Sequence, residues 1–148
     1  RNTLIQKEYK NTVMEILKLN NYVILIYPIP EVGWNLPRKL ISLIDKNLFQ
    51  LDKNKFYKEL FENPVTTSYE VYKRRSEKSF KILNNIEHPN IIRIYPHQIF
   101  CNKKIENRCI THSLTEMYYY DNNHLSISGS ELLNNMIMQK IHEIVDNE

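Results

Sequence analysis

The spacing of hydrophobic residues predicts both helices and strands along the chain. Between Thr3 and Asn20 apolar side chains recur every three or four positions, which predicts an amphipathic helix with Asn2 or Thr3 as its N-cap. The apolar positions are Leu4, Ile5, Tyr9, Val13, Ile16 and Leu17. The segment Tyr22–Tyr27 is continuously apolar, as in a parallel strand that is buried on both faces. Pro28 ends this strand, because proline has no N–H to donate.

Three helices are predicted between this strand and the next one. The loop Ile29–Pro37 comes first, and Pro37 is suited to the first position of a helix over Arg38–Phe49. A shorter helix follows Asp52 and ends at Pro64, and the third covers Ser68–Asn85. Loops at the carboxyl ends of parallel strands are where α/β proteins place their sites, so the first loop is a candidate site region.

The remaining pattern completes an α/β arrangement. Asn90–Tyr95 predicts a second strand, and the crossover from the first strand makes the two parallel. Met117–Tyr120 predicts a short extended segment. An amphipathic helix begins near Gly129, where Ser128 and Glu131 have the spacing of a capping box. Two strands are few for a stable sheet, and the chain begins with Arg, so we expect an N-terminal portion of the domain to precede it.

Composition and charge narrow the function classes. The 148 residues are 42% hydrophobic and 25% charged, which is typical of one globular domain. The formal net charge is +3, and the basic runs Lys73–Arg75 and Lys103–Lys104 are too short to predict a nucleic-acid surface. The longest apolar run, Tyr22–Pro30, is far shorter than the ~20 residues of a membrane span. The N-terminus has no signal-peptide pattern.

The two cysteines allow two interpretations. Cys101 and Cys109 lie eight residues apart in a polar segment that reads as a loop. They could close a small disulfide in an oxidising compartment, or remain two free thiols in a cytosolic protein. Zinc binding is not expected, because no second Cys/His pair has suitable spacing.

The strongest candidate for chemistry is Tyr120-Asp121-Asn122-Asn123-His124-Leu125-Ser126. Nucleophilic ester chemistry needs a base near a hydroxyl and a carboxylate that orients the base. An Asp three residues before a His can place both side chains on one side of a tight loop, and histidine titrates near neutrality. The alternative is an Asx-type turn that only leads into the last helix.

Together these features resemble the SGNH domain that follows the membrane-embedded part of acyltransferase-3 family cell-surface O-acyltransferases. The last block of that family combines Tyr, Asp-x-x-His-Leu-Ser and a Gly three residues later. The matching residues here are Tyr120, Asp121, His124, Leu125, Ser126 and Gly129. The family's Pro-x-Pro-Glu turn matches Pro28–Glu31, and its cysteine pair matches Cys101 and Cys109. The resemblance extends from about Tyr22 to Met136.

The resemblance implies a three-layer α/β/α, flavodoxin-like fold with a parallel sheet, of which residues 1–148 are the C-terminal part. It implies that Asp121 and His124 are catalytic and that Cys101 and Cys109 form a disulfide. It also implies a Gly-Asp-Ser block that carries the nucleophile, and no Gly-Asp-Ser occurs here. Ser42, Ser68, Ser76 and Ser113 lie in predicted helices or loops without such a motif, so the nucleophilic serine is expected outside this chain.

The implied function is transfer of an O-acyl group from an acyl donor to a cell-surface glycan, and acetyl is the expected group. It implies a membrane acyltransferase domain in the parent protein, an extracytoplasmic or periplasmic location, and no metal, nucleotide or other cofactor. The alternatives are a stand-alone esterase or a non-catalytic glycan-binding or scaffolding module. Nucleic acid is not an expected partner.

Other polar and aromatic residues have no motif that assigns them a role. This group includes His88, His97, His112, His142 and Glu31. The aromatic residues Trp34 and Tyr118–Tyr120 could stack on a sugar, but half-buried packing is the commoner use of such side chains.

Overall fold

The computed structural model describes residues 2–47 and 53–146, which form six helices and four strands. In chain order these are α1 (Asn2–Leu17), β1 (Val23–Ile26), α2 (Leu36–Asn47), α3 (Lys53–Glu62), β2 (Thr66–Ser68), α4 (Tyr69–Asn84), β3 (Ile91–Ile94), α5 (His97–Phe100), β4 (Arg108–Ile110) and α6 (Ile127–Val145). None of these helices combines the length and apolarity that a membrane span requires.

The two predicted strands pair in parallel, as the crossover required. Val23 lies opposite Ile91, and Ile26 lies opposite Ile94. Helices α1 and α4 pack against this sheet and form a core with its inward side chains. The buried members of that core are Val13, Leu17, Leu25, Tyr27 and Ile86. Helix α6 packs beside β3. The α/β class with a parallel sheet flanked by helices is therefore confirmed.

Two details of this region differ from the predictions. Ile26 is 47% exposed, so within the described residues β1 is not covered on both faces. Helix α1 already includes Asn2 and ends at Leu17, while Asn20 adopts a left-handed φ of 58°. Leu4 and Ile5 at the start of α1 are also exposed, because no described element packs against them.

The helices between the strands follow the hydrophobic pattern closely. Helix α2 begins one residue before Pro37, and the Asn35 side chain caps it by accepting the Arg38 N–H at 2.9 Å. Ser68 is the N-cap of α4 and accepts the Val71 N–H. The predictions for residues 48–52, which include Leu48, Phe49 and Asp52, lie outside the described residues.

A second, antiparallel sheet was not predicted. Strands β2 and β4 pair with Thr66 opposite Ile110 and Ser68 opposite Arg108. The Arg108 guanidinium strengthens the pairing by donating to the Thr66 side chain and carbonyl at 2.9 and 2.8 Å. Strands of three residues are too short to show alternation, so the hydrophobic pattern does not indicate them.

The disulfide between Cys101 and Cys109 is confirmed. The backbones of the two cysteines also form an isolated antiparallel β-bridge, where the chain returns from the end of α5 to β4. Both cysteines are buried. Phe100 packs with them, as do the partly buried Tyr118 and Leu125. The disulfide therefore supports the segment that immediately precedes and follows Asp121 and His124.

We expect removal of the disulfide in the Cys101→Ser/Cys109→Ser variant to lower the free energy of unfolding by about 2–3 kcal/mol, because closing a loop of this length restricts the unfolded chain. Urea unfolding of the variant and the unmodified chain measures the difference. A reductant should lower the urea midpoint of the chain that has the disulfide and leave the urea midpoint of the variant unchanged. Equal midpoints for both chains under oxidising conditions would contradict the expectation.

Candidate active site

Asp121 and His124 form a closed hydrogen-bonded turn. One carboxylate oxygen of Asp121, Oδ1, accepts the backbone N–H groups of Asn123 and His124 at 2.9 and 2.8 Å. The other oxygen, Oδ2, lies 2.7 Å from Nδ1 of the His124 ring. The carboxylate thus holds both the backbone of the turn and the imidazole, which leaves Nε2 as the outward-facing ring nitrogen.

The hydrogen bonds around Asp121 favour the ionised form of its carboxyl group. The N–H groups of Asn123 and His124, followed by the bond to the His124 ring, lower the pKa of Asp121 from 3.8 to about 2. A negative charge beside Nδ1 favours the tautomer with a proton on that nitrogen and stabilises the imidazolium. Nε2 can then accept a proton from a hydroxyl group and return it.

The imidazole is accessible. The His124 side chain is 61% exposed, whereas that of Asp121 is 26% exposed. Within residues 2–47 and 53–146, Nε2 makes no hydrogen bond. The Tyr120 ring stacks on the imidazole with centroids 5.5 Å apart and an interplanar angle of 17°, which limits rotation of the ring. The arrangement is an oriented base with one free nitrogen.

The turn is fixed to the loop that follows β1. The Gly33 N–H donates to the Asn122 carbonyl at 2.9 Å, and the Leu36 N–H points to the Asp121 carbonyl at 3.5 Å. Gly33 has a φ of +80°, a conformation that is costly for residues with a Cβ. The prediction that the loop after the first strand belongs to the site region is therefore consistent with the structure.

A buried tyrosine also attaches these two segments to each other. Tyr119 is fully buried, and its hydroxyl donates to the Pro30 carbonyl at 2.6 Å. Burial raises the pKa of Tyr119 well above its usual range, so the hydroxyl remains a donor. Because Tyr119 packs with Val32 and Leu36, the same residue contributes both a hydrogen bond and apolar contact.

Helix α6 begins immediately after the turn, and its predicted cap is corrected. The N-cap is Ser126, whose Oγ accepts the Gly129 N–H at 3.1 Å, and the helix starts at Ile127. Ser128 is inside the helix and donates instead to Glu116, at 2.7 Å. The expected capping box of Ser128 and Glu131 is therefore wrong, because the hydroxyl two residues earlier satisfies the helix N-terminus.

Gly129 allows α6 to approach the segment before the turn. A Cβ at this position would lie 2.2 Å from the Tyr118 carbonyl oxygen, closer than any real contact. The same carbonyl accepts the Ser126 N–H at 2.9 Å. The Leu-Ser-x-x-Gly part of the motif is thus explained by packing, since any larger residue would push the helix away from the Asp–His turn.

Six of the eight serines, all but Ser79 and Ser130, make side-chain hydrogen bonds within the described part of the chain. The Ser126 hydroxyl donates to the Met117 carbonyl, in addition to capping α6. Ser76 is buried and donates to the Tyr72 carbonyl at 2.6 Å, and Ser42 donates to Lys39 at 2.8 Å. Ser68 caps α4, and Ser113 accepts the N–H groups of Thr115 and Glu116. None of these is a partner of His124.

The remaining candidates divide between packing and surface. Trp34 packs against the core around Val32, and Tyr118 packs against Phe100. Of the three consecutive tyrosines, only Tyr120 is exposed beside the site.

His112 accepts the Val65 N–H at 3.0 Å, and His97 lies among aromatic rings, where burial lowers its pKa. Within the described ranges, no three His, Cys, Asp or Glu side chains are grouped for metal binding.

Sequence reasoning missed the residues that position the pair. The bond between Gly33 and Asn122, the buried hydroxyl of Tyr119 and the cap at Ser126 were not predicted. The family motif included Tyr120, Ser126 and Gly129 without giving their physical roles. The sequence contains one signal for the contact with Asn122, which is the glycine at position 33 in the loop after β1.

Fold and site together define an α/β domain that presents a carboxylate-oriented histidine at the carboxyl end of a parallel strand. The model of the family described as "SGNH domain (fused to AT3 domains)" matches residues 2–139. The chain therefore belongs to this SGNH domain family. Searches of curated proteins and of solved structures gave no significant match. The catalytic roles of Asp121 and His124 stay predictions.

The low pKa of Asp121 predicts a measurable pH dependence. Because the folded-state pKa is depressed to about 2, the ionised carboxylate contributes stability that is present above pH 3.8 and lost as the pH falls through about 2. The carboxyl ¹³C shift of Asp121 should titrate with a midpoint of about 2. In Asp121→Asn, this part of the pH dependence of unfolding should be absent. A midpoint at 3.8 would show that the turn does not hold the carboxylate as described.

Proposed function

We propose that this domain takes part in serine-dependent O-acyl transfer, in which His124 is the general base and acid and Asp121 orients it. The observation that carries the proposal is the 2.7 Å contact between Asp121 Oδ2 and His124 Nδ1, with Nε2 exposed and unbonded within the described part of the chain. Membership of the SGNH family supports it, because the family description places such domains in fusion with AT3 domains.

The reaction has two balanced halves. In the first half, Nε2 of His124 takes the proton of a serine hydroxyl while the serine oxygen attacks the acyl carbonyl of the donor. The donor's leaving oxygen departs with the proton from Nε2, and an acyl-serine ester remains. In the second half, Nε2 takes the proton of an acceptor hydroxyl, which attacks the ester. The serine oxygen recovers the proton, and the acyl group is now on the acceptor.

The nucleophilic serine of this proposal lies outside the 148 residues. The sequence has no Gly-Asp-Ser, and hydrogen bonds fix Ser42, Ser68, Ser76, Ser113 and Ser126 in structural roles. A preceding segment of the same domain would supply this serine and the donors of the oxyanion hole. The exposed Ile26 of β1 and Leu4 and Ile5 of α1 provide apolar surface for such a segment.

The acceptor in this proposal is a hydroxyl of a cell-surface glycan, and the acyl group is acetyl. The fused membrane acyltransferase domain provides the acyl donor, and the domain works on the extracytoplasmic or periplasmic side of the membrane. The disulfide Cys101–Cys109 is consistent with that location, because disulfides persist in oxidising compartments.

In the parent protein, we expect His124→Ala to reduce acyl transfer by roughly 10³-fold or more, because the serine then lacks its base. Asp121→Asn should reduce it by about 10²- to 10⁴-fold, because the carboxamide no longer favours the correct tautomer. Transfer is measured as acetyl ester appearing on isolated glycan. His142→Ala is the matched control, since this histidine lies in the last turn of α6, away from the turn at Asp121.

The acceptor and the location of the nucleophile are tested separately. The isolated chain should not hydrolyse an aryl acetate at a rate that depends on His124. Robust turnover that His124→Ala abolishes would place the nucleophile within these residues and contradict the proposal.

In the parent protein, release of free acetate without ester on the glycan would favour an esterase. Unchanged transfer in both Asp121→Asn and His124→Ala would leave only a non-catalytic role for the turn.

A further inference from the structure

A cavity of about 240 Å³ lies between the loop after β1 and helix α4. Its wall is fixed by Tyr72, whose hydroxyl donates to the Pro28 carbonyl at 2.8 Å. The Ser76 hydroxyl is committed to the Tyr72 carbonyl at 2.6 Å. These two buried residues give the cavity a defined shape but offer no free polar atoms.

Three other polar side chains line the cavity and remain available. They are Glu31 from the loop and Arg75 and Ser79 from α4. Arg75 and Ser79 are four residues apart, so they project from the same side of the helix. Within residues 2–47 and 53–146, none of the three side chains has a hydrogen-bond or ion-pair partner. The lining thus combines the guanidinium donors of Arg75, the carboxylate acceptor of Glu31 and the hydroxyl group of Ser79.

This mixture of groups favours a neutral polyhydroxylated ligand. An anion would be attracted by Arg75 but repelled by the carboxylate of Glu31. A cation would be attracted by Glu31 but repelled by Arg75. Each sugar hydroxyl both donates and accepts, so neighbouring hydroxyls of one ring can serve both charged groups. The volume of 240 Å³ is below the ~300–1,000 Å³ of pockets for drug-sized molecules, which fits a single ring.

Gly33 connects the cavity to the Asp–His turn. Nη1 of Arg75 lies 3.5 Å from the position that a Cβ on Gly33 would occupy. The Gly33 N–H in turn donates to the carbonyl of Asn122, the residue directly after Asp121. The loop that lines the cavity is therefore hydrogen-bonded to the turn that carries the general base.

We propose that this cavity is a subsite for one sugar ring of the acceptor glycan, with Arg75 and Glu31 as the residues that determine its specificity. The proposal rests on the proposed function for the identity of the glycan as acceptor. The binding of a sugar ring itself does not depend on catalysis, so the two can fail separately.

The test is an NMR titration of the ¹⁵N-labelled chain with the methyl glycosides of glucose, galactose, mannose and N-acetylglucosamine at millimolar concentrations. At least one glycoside should shift the Gly33 and Ser79 amides and the Arg75 Nε–Hε signal. Arg75→Met and Glu31→Gln should each weaken that binding about tenfold or more, equivalent to ~1.4 kcal/mol. Arg74→Met is the matched control, since this exposed neighbour does not line the cavity.

Three results would overturn the subsite: no shift at these signals with any glycoside, binding that survives both variants, or binding of glucuronate alone. The dispersed amide spectrum of each variant establishes that it is folded. If glycosides bind through Arg75 while His124→Ala in the parent protein transfers normally, the subsite stands and the proposed function fails. If transfer needs His124 but no glycoside binds, the reverse holds.

Discussion

The hydrogen bond from the buried Tyr119 hydroxyl to the Pro30 carbonyl joins the two segments on which the site depends. One segment follows β1, and the other carries Asp121 and His124 into helix α6. Because these segments are about 90 residues apart in sequence, their contact has to be held by specific long-range interactions. The Gly33–Asn122 backbone bond adds a second such interaction, and the packing of Gly129 on Tyr118 fixes helix α6 against the segment before the turn. The imidazole is consequently presented by a rigid support although its own ring is exposed.

The pair itself obtains its geometry locally. Asp121 accepts two backbone N–H groups of its own turn with one oxygen and faces the imidazole with the other. The turn interpretation and the catalytic interpretation of Asp-x-x-His are therefore compatible: an Asx-type turn is what places the second carboxylate oxygen against Nδ1. The disulfide and Phe100 support this arrangement through Leu125 and Tyr118, one position beyond His124 and three before Asp121.

Sequence patterns were sufficient for the parallel pair β1–β3, helices α1 to α4 and α6, and the Asp–His turn, because each has a local signal in periodicity or motif. The four-residue helix α5 was not predicted. They were insufficient where pairing is long-range. Strands β2 and β4 have three residues each, and Arg108 of β4 donates to Thr66 of β2, which lies 42 positions earlier in the sequence. The spacing of Ser128 and Glu131 matched a capping box and predicted the wrong cap for α6, because the bond from the Gly129 N–H to Ser126 has no signal in that pattern. The cavity at Arg75 combines residues from a loop and a helix 44 positions apart, as the Tyr72–Pro28 bond shows, so no motif could reveal it.

The central claim is that His124 serves a serine that these 148 residues do not contain. The most direct measurement is labelling of the parent protein with a serine-directed fluorophosphonate, followed by peptide mapping by mass spectrometry. We expect one rapidly labelled serine outside these 148 residues, with labelling that slows strongly in His124→Ala and not in His142→Ala. Labelling of a serine within this chain, or labelling at a rate that does not change in His124→Ala, would contradict it.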